Sequence, residues 1–177
     1  MDASSAVTVD MMQKMVEFVK ASLKQYNFSN EHTNAYLMIF GREHKLLIKI
    51  GNKEDLNVLR RTLKNLMPMG GLKNIGGVLS AYNAMDLRQD AKKVVVLLTS
   101  GRDFSSEDVS VIGSALKKDV KVFAISVGLI HDVTTLKKFA KTDHIHQISH
   151  INDLPDVYGL LEEAIGISQG MHSLRLV

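Results

Sequence analysis

The chain has no cysteine. That removes a disulfide frame, a thiolate metal site and a cysteine nucleophile together, and leaves the compartment open, because a domain of this size needs no covalent staple. Long apolar runs are missing too: stretches such as Val94 to Leu98 fall far short of the ~20 residues that cross a bilayer. The first residues are polar, so no signal peptide is expected here, and a secreted protein carrying this stretch would be longer than it. Basic charge is not concentrated anywhere. The net charge of +3 is spread along the chain, which gives nucleic-acid binding little support and leaves weak contact with acidic surfaces open.

With 177 residues, 45% apolar and 23% charged, the chain can bury one sizeable core and reads as a single domain. Val9 to Gln25 carries apolar residues at mostly helical spacing, with Thr8 or Asp10 available as a cap. Tyr26 to Asn30 is a turn-rich break containing the glycosylation triplet Asn27-Phe28-Ser29, which makes Asn27 a candidate glycan acceptor. Ala35 to Phe40 and His44 to Ile50, on either side of Gly41-Arg42-Glu43, predict a hairpin. Lys53 to Leu66 places Leu56, Leu59, Leu63 and Leu66 on one helical stripe, and Pro68 stops it. The pairs Gly70-Gly71 and Gly76-Gly77 bracket a tight loop that enters a helix over about 75–85. Their spacing matches neither the P-loop nor the dinucleotide fingerprint.

Lys92 to Thr99 contains five consecutive apolar residues, as in a strand covered on both faces. A helix capped by Ser105 or Ser106 and running to about Lys118 follows, then a strand at Val120 to Val127 and a helix at Val133 to Lys141. A short strand at Ile145 to Ser149 and a last helix at Asp153 to Ile165 complete the alternation. The predicted class is α/β: a doubly wound, mostly parallel open sheet with one antiparallel edge strand and helices on both faces.

The candidate site combines three segments: Asp2-Ala3-Ser4-Ser5-Ala6, Met69-Gly70-Gly71-Leu72-Lys73-Asn74 and Leu98-Thr99-Ser100-Gly101. An acid followed by hydroxyls just before an amphipathic helix offers a hard cation hard oxygen ligands. Together with the strand-like segments at 93–99, 120–128 and 148–154, these residues resemble the von Willebrand factor type A domain over nearly the whole chain. The resemblance implies a Rossmann-like fold and a metal-ion-dependent adhesion site built from D-x-S-x-S, a threonine after a glycine-rich turn, and the aspartate of T-D-G. Here Asp2 and Ser4 fit, Ala6 replaces the second serine, and Ser100 replaces the aspartate. The threonine position falls on Lys73, or on Leu72 in an alignment shifted by one. Neither residue ligates magnesium. Lys73 either pairs with Asp2 or points into water, and both arrangements leave too few ligands, so the site is expected to be degenerate and to hold no metal.

The family normally carries a hydrophobic strand immediately before D-x-S, at the centre of the sheet. No such strand precedes Asp2 in this chain, and an open central slot would leave backbone groups unpaired. The expectation is a domain over 1–170 and a tail over 171–177, with Ser173 to Val177 supplying the central strand within the chain, as in a circular permutant, or in a neighbour by swapping. The alternative is a disordered tail, or one that belongs to a following repeat.

No catalytic constellation stands out. His144, His146 and His150 could face one way as a metal cluster, but such a set is more often a solvated face. His131-Asp132 is expected in a loop after a strand without a paired nucleophile, and Ser100 is not in a G-x-S-x-G elbow. Glu107-Asp108 and Glu162-Glu163 read as helix charges. The resemblance, which extends to the repeated A modules of collagen VI and other matrix proteins, implies a secreted, non-enzymatic binding or adhesion module of the extracellular matrix. Collagen or another matrix polymer is the implied partner, with no nucleic acid, membrane or cofactor, and a homo-oligomer through strand swapping is an option. Binding is expected around Asp2, Ser4, Lys73, Ser100 and Asp103. A magnesium-dependent adhesion domain, with Asp103 replacing the lost aspartate, is the near alternative; an intracellular scaffold or a wound-sheet enzyme is a distant one.

Overall fold

Two apolar layers, one on each side of a central sheet, account for most buried side chains. The structure, a computed structural model, describes residues 1–24, 26, 28, 33–85, 92–101, 109–159 and 172–176. Its strands are β1 (Ala35–Phe40), β2 (His44–Ile50), β3 (Lys92–Gly101), β4 (Val120–His131), β5 (Ile145–Ile148) and β6 (His172–Leu176). They form one sheet in the order β2-β1-β6-β3-β4-β5. Every pairing is parallel except β1 with β2, the hairpin at the edge. β6 comes from the far end of the chain, yet lies in the interior between β1 and β3.

The period of two along each strand divides its side chains between the layers. On β3, Val94, Val96 and Leu98 enter one layer while Val95 and Leu97 enter the other. On β4, Phe123, Ile125 and Val127 alternate in the same way with Val122 and Ala124. The first layer is closed by helix α1 (Val9–Leu23) and helix α2 (Lys53–Lys64). Thr8 caps α1 by accepting from the Met11 amide, which fixes the rotation that turns Met12, Met15, Val16, Val19 and Leu23 inward. In α2, Asn52 and Asp55 form a capping box, and Leu59 and Leu63 are the buried stripe. The second layer is closed by α3 (Ile75–Asn83), α4 (Val109–Asp119) and α5 (Val133–Phe139). Gly113 lets α4 approach α5: a Cβ there would lie 2.4 Å from the Lys138 carbonyl oxygen.

Three expectations are corrected. β4 runs on to His131 because Gly128, at φ 108°, and a register shift opposite Ser100 and Gly101 let the strand bend and continue pairing. His131 therefore ends a strand rather than sitting in a loop, and Asp132 caps α5 by accepting from the Thr135 amide. The segment expected to open as a helix at Asp153 is a 3-10 stretch, Ile151–Val157, with Pro155 inside it. Proline supplies no N–H to an α-helical ladder there. Tyr158 beyond it stacks on Phe18 with ring centroids 4.7 Å apart, tying this segment to α1.

Candidate functional site

Residues 1–5 enter the sheet at the C-terminal ends of β1 and β3. The Asp2 amide donates to Leu98 O at 2.8 Å and the Ala3 amide to Phe40 O at 2.6 Å, while Phe40 N donates back to Met1 O at 3.1 Å. The glycine loop closes over them: Met69 N and Gly70 N both donate to Ala3 O, and Ser5 N donates to Gly71 O. Gly70 and Gly71 sit at φ 76° and 75°, a region that favours glycine. Gly41 is required for a different reason, since a Cβ there would meet the Gly70 carbonyl oxygen at 2.5 Å.

This path aims the Asp2 carboxylate inward. Its Oδ1 accepts from Ser4 N at 2.9 Å, and its Oδ2 accepts from Ser100 N and Ser100 Oγ, each at 3.0 Å, and from Thr99 Oγ1 at 3.4 Å. Lys73 Nζ lies 3.0 Å from the same Oδ2. Asp2 is 0% exposed and Lys73 2%, whereas Leu72 is 62% exposed, so the loop geometry places Lys73 and not Leu72 against the acid. The ammonium contributes as a charge, off the line that an Nζ–H hydrogen bond needs, and it has no aligned acceptor among the described residues. At 3.0 Å and an effective dielectric near 20 the gross attraction is about 5 kcal/mol, much of it offset by desolvation of both ions.

These residues do not suit a divalent cation. A hard cation is held by several oxygens, and the described set offers one carboxylate, already engaged by five groups of Ser4, Thr99, Ser100 and Lys73, and the hydroxyls of Ser4, Thr99 and Ser100. Ala6 contributes no side-chain oxygen. Lys73 brings a positive charge to the carboxylate oxygen that an ion would use, which opposes a second cation there.

The sequence-derived residues Asp2, Ser4, Lys73 and Ser100 are thus brought together, but all four are buried. They do not themselves form a contact surface; among the described residues the exposed rim includes Ser5, Ala6, Arg42, Gly71 and Leu72. Asp103, Asn27, Ser105, Ser106, Glu107-Asp108 and Glu162-Glu163 lie outside the described residues. Thr99, Gly41 and the Met1 amine are further parts of the site. Thr99 adjoins Ser100 on the strand end, which is the signal that places it; nothing local marks Gly41 or the amine. That amine donates to Met38 O at 2.8 Å, and burial lowers its pKa from 8.0 to about 4 against a smaller opposing pull from Asp2.

The histidines do not converge. His144 packs against Phe123 at 4.5 Å, and burial lowers its pKa, as it does for His146; His150 is exposed. No group of three or more metal-ligating side chains occurs among the described residues. His131 Nδ1 is 2.9 Å from Ser126 Oγ, a pair of which the serine is fully buried. No described helix is long and apolar enough to cross a membrane.

A wound parallel sheet with an acid-and-hydroxyl loop at its strand ends defines a von Willebrand factor type A fold. Residues 1–160 match the model of the von Willebrand factor type A domain, and the chain belongs to that family. Among solved structures it is similar to proximal thread matrix protein 1 from the mussel byssus, at 20% identity and a TM-score of 0.81, over 92% of this chain and 45% of that one. The same byssus protein with a zinc-occupied metal-ion-dependent adhesion motif aligns at 22% identity and a TM-score of 0.80, over 90% and 42%. A von Willebrand factor type A protein from Catenulispora acidiphila aligns at 15% identity and 0.77, over 93% and 41%. The chain therefore spans under half the length of these relatives. No curated protein matches it.

Proposed function

We propose that this domain is a non-enzymatic protein-binding module of a secreted, extracellular-matrix or adhesive protein, and that it binds without a bound metal. The observation that carries this reading is the buried Lys73 ammonium 3.0 Å from the Asp2 carboxylate, which supplies from within the chain the positive charge that the family's cation would bring. Family membership supports a protein-interaction role, and the likeness in fold to a byssus matrix protein is in keeping with a matrix setting. A partner would meet the rim of Ser5, Ala6, Arg42, Gly71 and Leu72 around the buried pair, with Asp103 a further candidate contact. Leu72 and nearby Met69 add exposed apolar surface there. Fibrillar collagen is the first partner to test.

The test is a solid-phase binding assay on fibrillar collagen and on other matrix polymers, with magnesium or with chelator. Binding that is equal in both conditions and weakened by Arg42→Glu or Leu72→Asp is expected. Binding abolished by chelator would overturn the metal-free reading, and no binding to any matrix polymer would overturn the choice of partner.

A further inference from the structure

Helices α1 and α2 both pack on the first apolar layer but not closely on each other, and a groove of about 570 Å³ opens between α1 and the end of α2. That size is within the roughly 300–1,000 Å³ range of ligand pockets. α2 stops at Lys64 with Asn65 as its cap, and the residues that follow, Leu66 and Met67, line the groove with it. The floor is apolar. Val16 and Leu63 are buried, Leu66 is partly buried against the same core, and Met67 is left 57% exposed. This is apolar surface that water wets and a partner would cover.

The charges around that floor leave a positive excess. Three lysines, Lys14, Lys20 and Lys64, line the groove with one glutamate, Glu17, whose carboxylate is taken by Lys20 at 3.0 Å. Lys14 and Lys64 are exposed and have no ion partner among the described residues. Folding thus gathers, from two helices far apart in sequence, basic charge that the chain itself spreads out. Two free ammonium groups over an apolar floor fit an acidic peptide that also carries a large apolar side chain. Its carboxylates would pair with the lysines, and burial of the side chain would supply affinity that exposed ion pairs alone do not. A sulfated glycan or a nucleic acid would use the charges and leave the floor bare, and two lysines are few for a polyanion. We propose that this groove docks an extended acidic segment of a protein partner, with an apolar side chain seated between α1 and the end of α2 and carboxylates on Lys14 and Lys64. The groove shares no lining residue with the rim around Asp2, so this second surface stands or falls separately from the metal-free reading.

The test titrates the isotope-labelled 177-residue chain with the capped hexapeptide EDLFDE and follows backbone amides by NMR, which detects binding as weak as millimolar. Saturating shifts centred on residues 13–20 and 63–67 are expected. The double variant Lys14→Glu, Lys64→Glu, altered only at exposed positions, should bind the peptide roughly tenfold more weakly. Met67→Asp, also at an exposed position, should weaken it severalfold while leaving both lysines in place. The peptides KKLFKK, with the charge reversed, and EDSSDE, without the apolar pair, should not saturate the groove. Absence of shifts there with EDLFDE, undiminished binding by the double-lysine variant, or equal binding of EDSSDE overturns the proposal. A heparin tetrasaccharide that moves the same amides at lower concentration than EDLFDE also overturns it, and assigns the groove to a sulfated glycan.

Discussion

Lys73→Met isolates the charge at the centre of the site. Methionine keeps the aliphatic reach of lysine and removes the ammonium, leaving Asp2, which is fully buried, with hydrogen bonds from Ser4 and Ser100 and without its Lys73 counter-charge. Removing one partner of a buried ion pair costs roughly 3–5 kcal/mol, because the remaining charge is uncompensated. In a domain of this size each kcal/mol moves the melting point by about 2–4 °C, so a fall of roughly 6–20 °C is expected in calorimetry or thermal circular dichroism. Adding Asp2→Asn removes the orphaned charge, and the double variant should recover more than half of the loss. The cycle of two single variants and one double variant then reports a coupling above about 1 kcal/mol. A Lys73→Met protein within about 1 kcal/mol of the parent, or single effects that simply add, would refute the claim that the two charges are paired in the fold.

Other outcomes follow from the same geometry. The Met1 amine has a folded pKa of about 4 against 8.0 in the unfolded chain, so below pH 8 the unfolded state takes up the proton first and stability falls as pH drops toward 4. The loss from pH 8 to pH 6 is roughly 2 kcal/mol, and the depressed histidines His144 and His146 add to it below about pH 6.5; a melting point that is flat from pH 6 to 8 would contradict this. Magnesium at about 10 mM should leave the melting point unchanged, whereas the triple variant Ala6→Ser, Lys73→Thr, Ser100→Asp should gain a magnesium-dependent rise; a shift in the parent protein speaks against the site described here. Gly113→Ala forces α4 away from the Lys138 carbonyl and should cost about 1–3 kcal/mol in urea unfolding, while the same change at Gly159, which has open space, should cost far less.

Much of the architecture is legible in the sequence because it rests on local patterns. The hairpin at 35–50 and the starts of α1, α2, α3, β3 and α5 follow from alternation, capping residues and glycine-proline punctuation. What is not legible depends on partners distant in sequence. The extension of β4 to His131 follows from pairing across from Gly101, and no periodicity along β4 reports that. The candidate site is half legible. Asp2, Ser4 and Ser100 are located by motif spacing, but the choice between Leu72 and Lys73 is made by the positive-φ turn at Gly70-Gly71, whose bonds to Ala3 and Ser5 rotate Lys73 inward. Burial of the whole set is likewise invisible to a motif, which lists donors without saying what covers them.

The division of each strand between two apolar layers makes the sheet a partition. Val95 and Val96 are neighbours in the chain, but a void opened at one is felt by α3, α4 and α5, and a void at the other by α1 and α2. Adjacent substitutions in β3 therefore open voids against different sets of helices. Asp2 stands where this partition ends, with Met1 and Ala3 anchored in one compartment and Phe40, to which they bond, in the other, so a disturbance on either side reaches the same carboxylate.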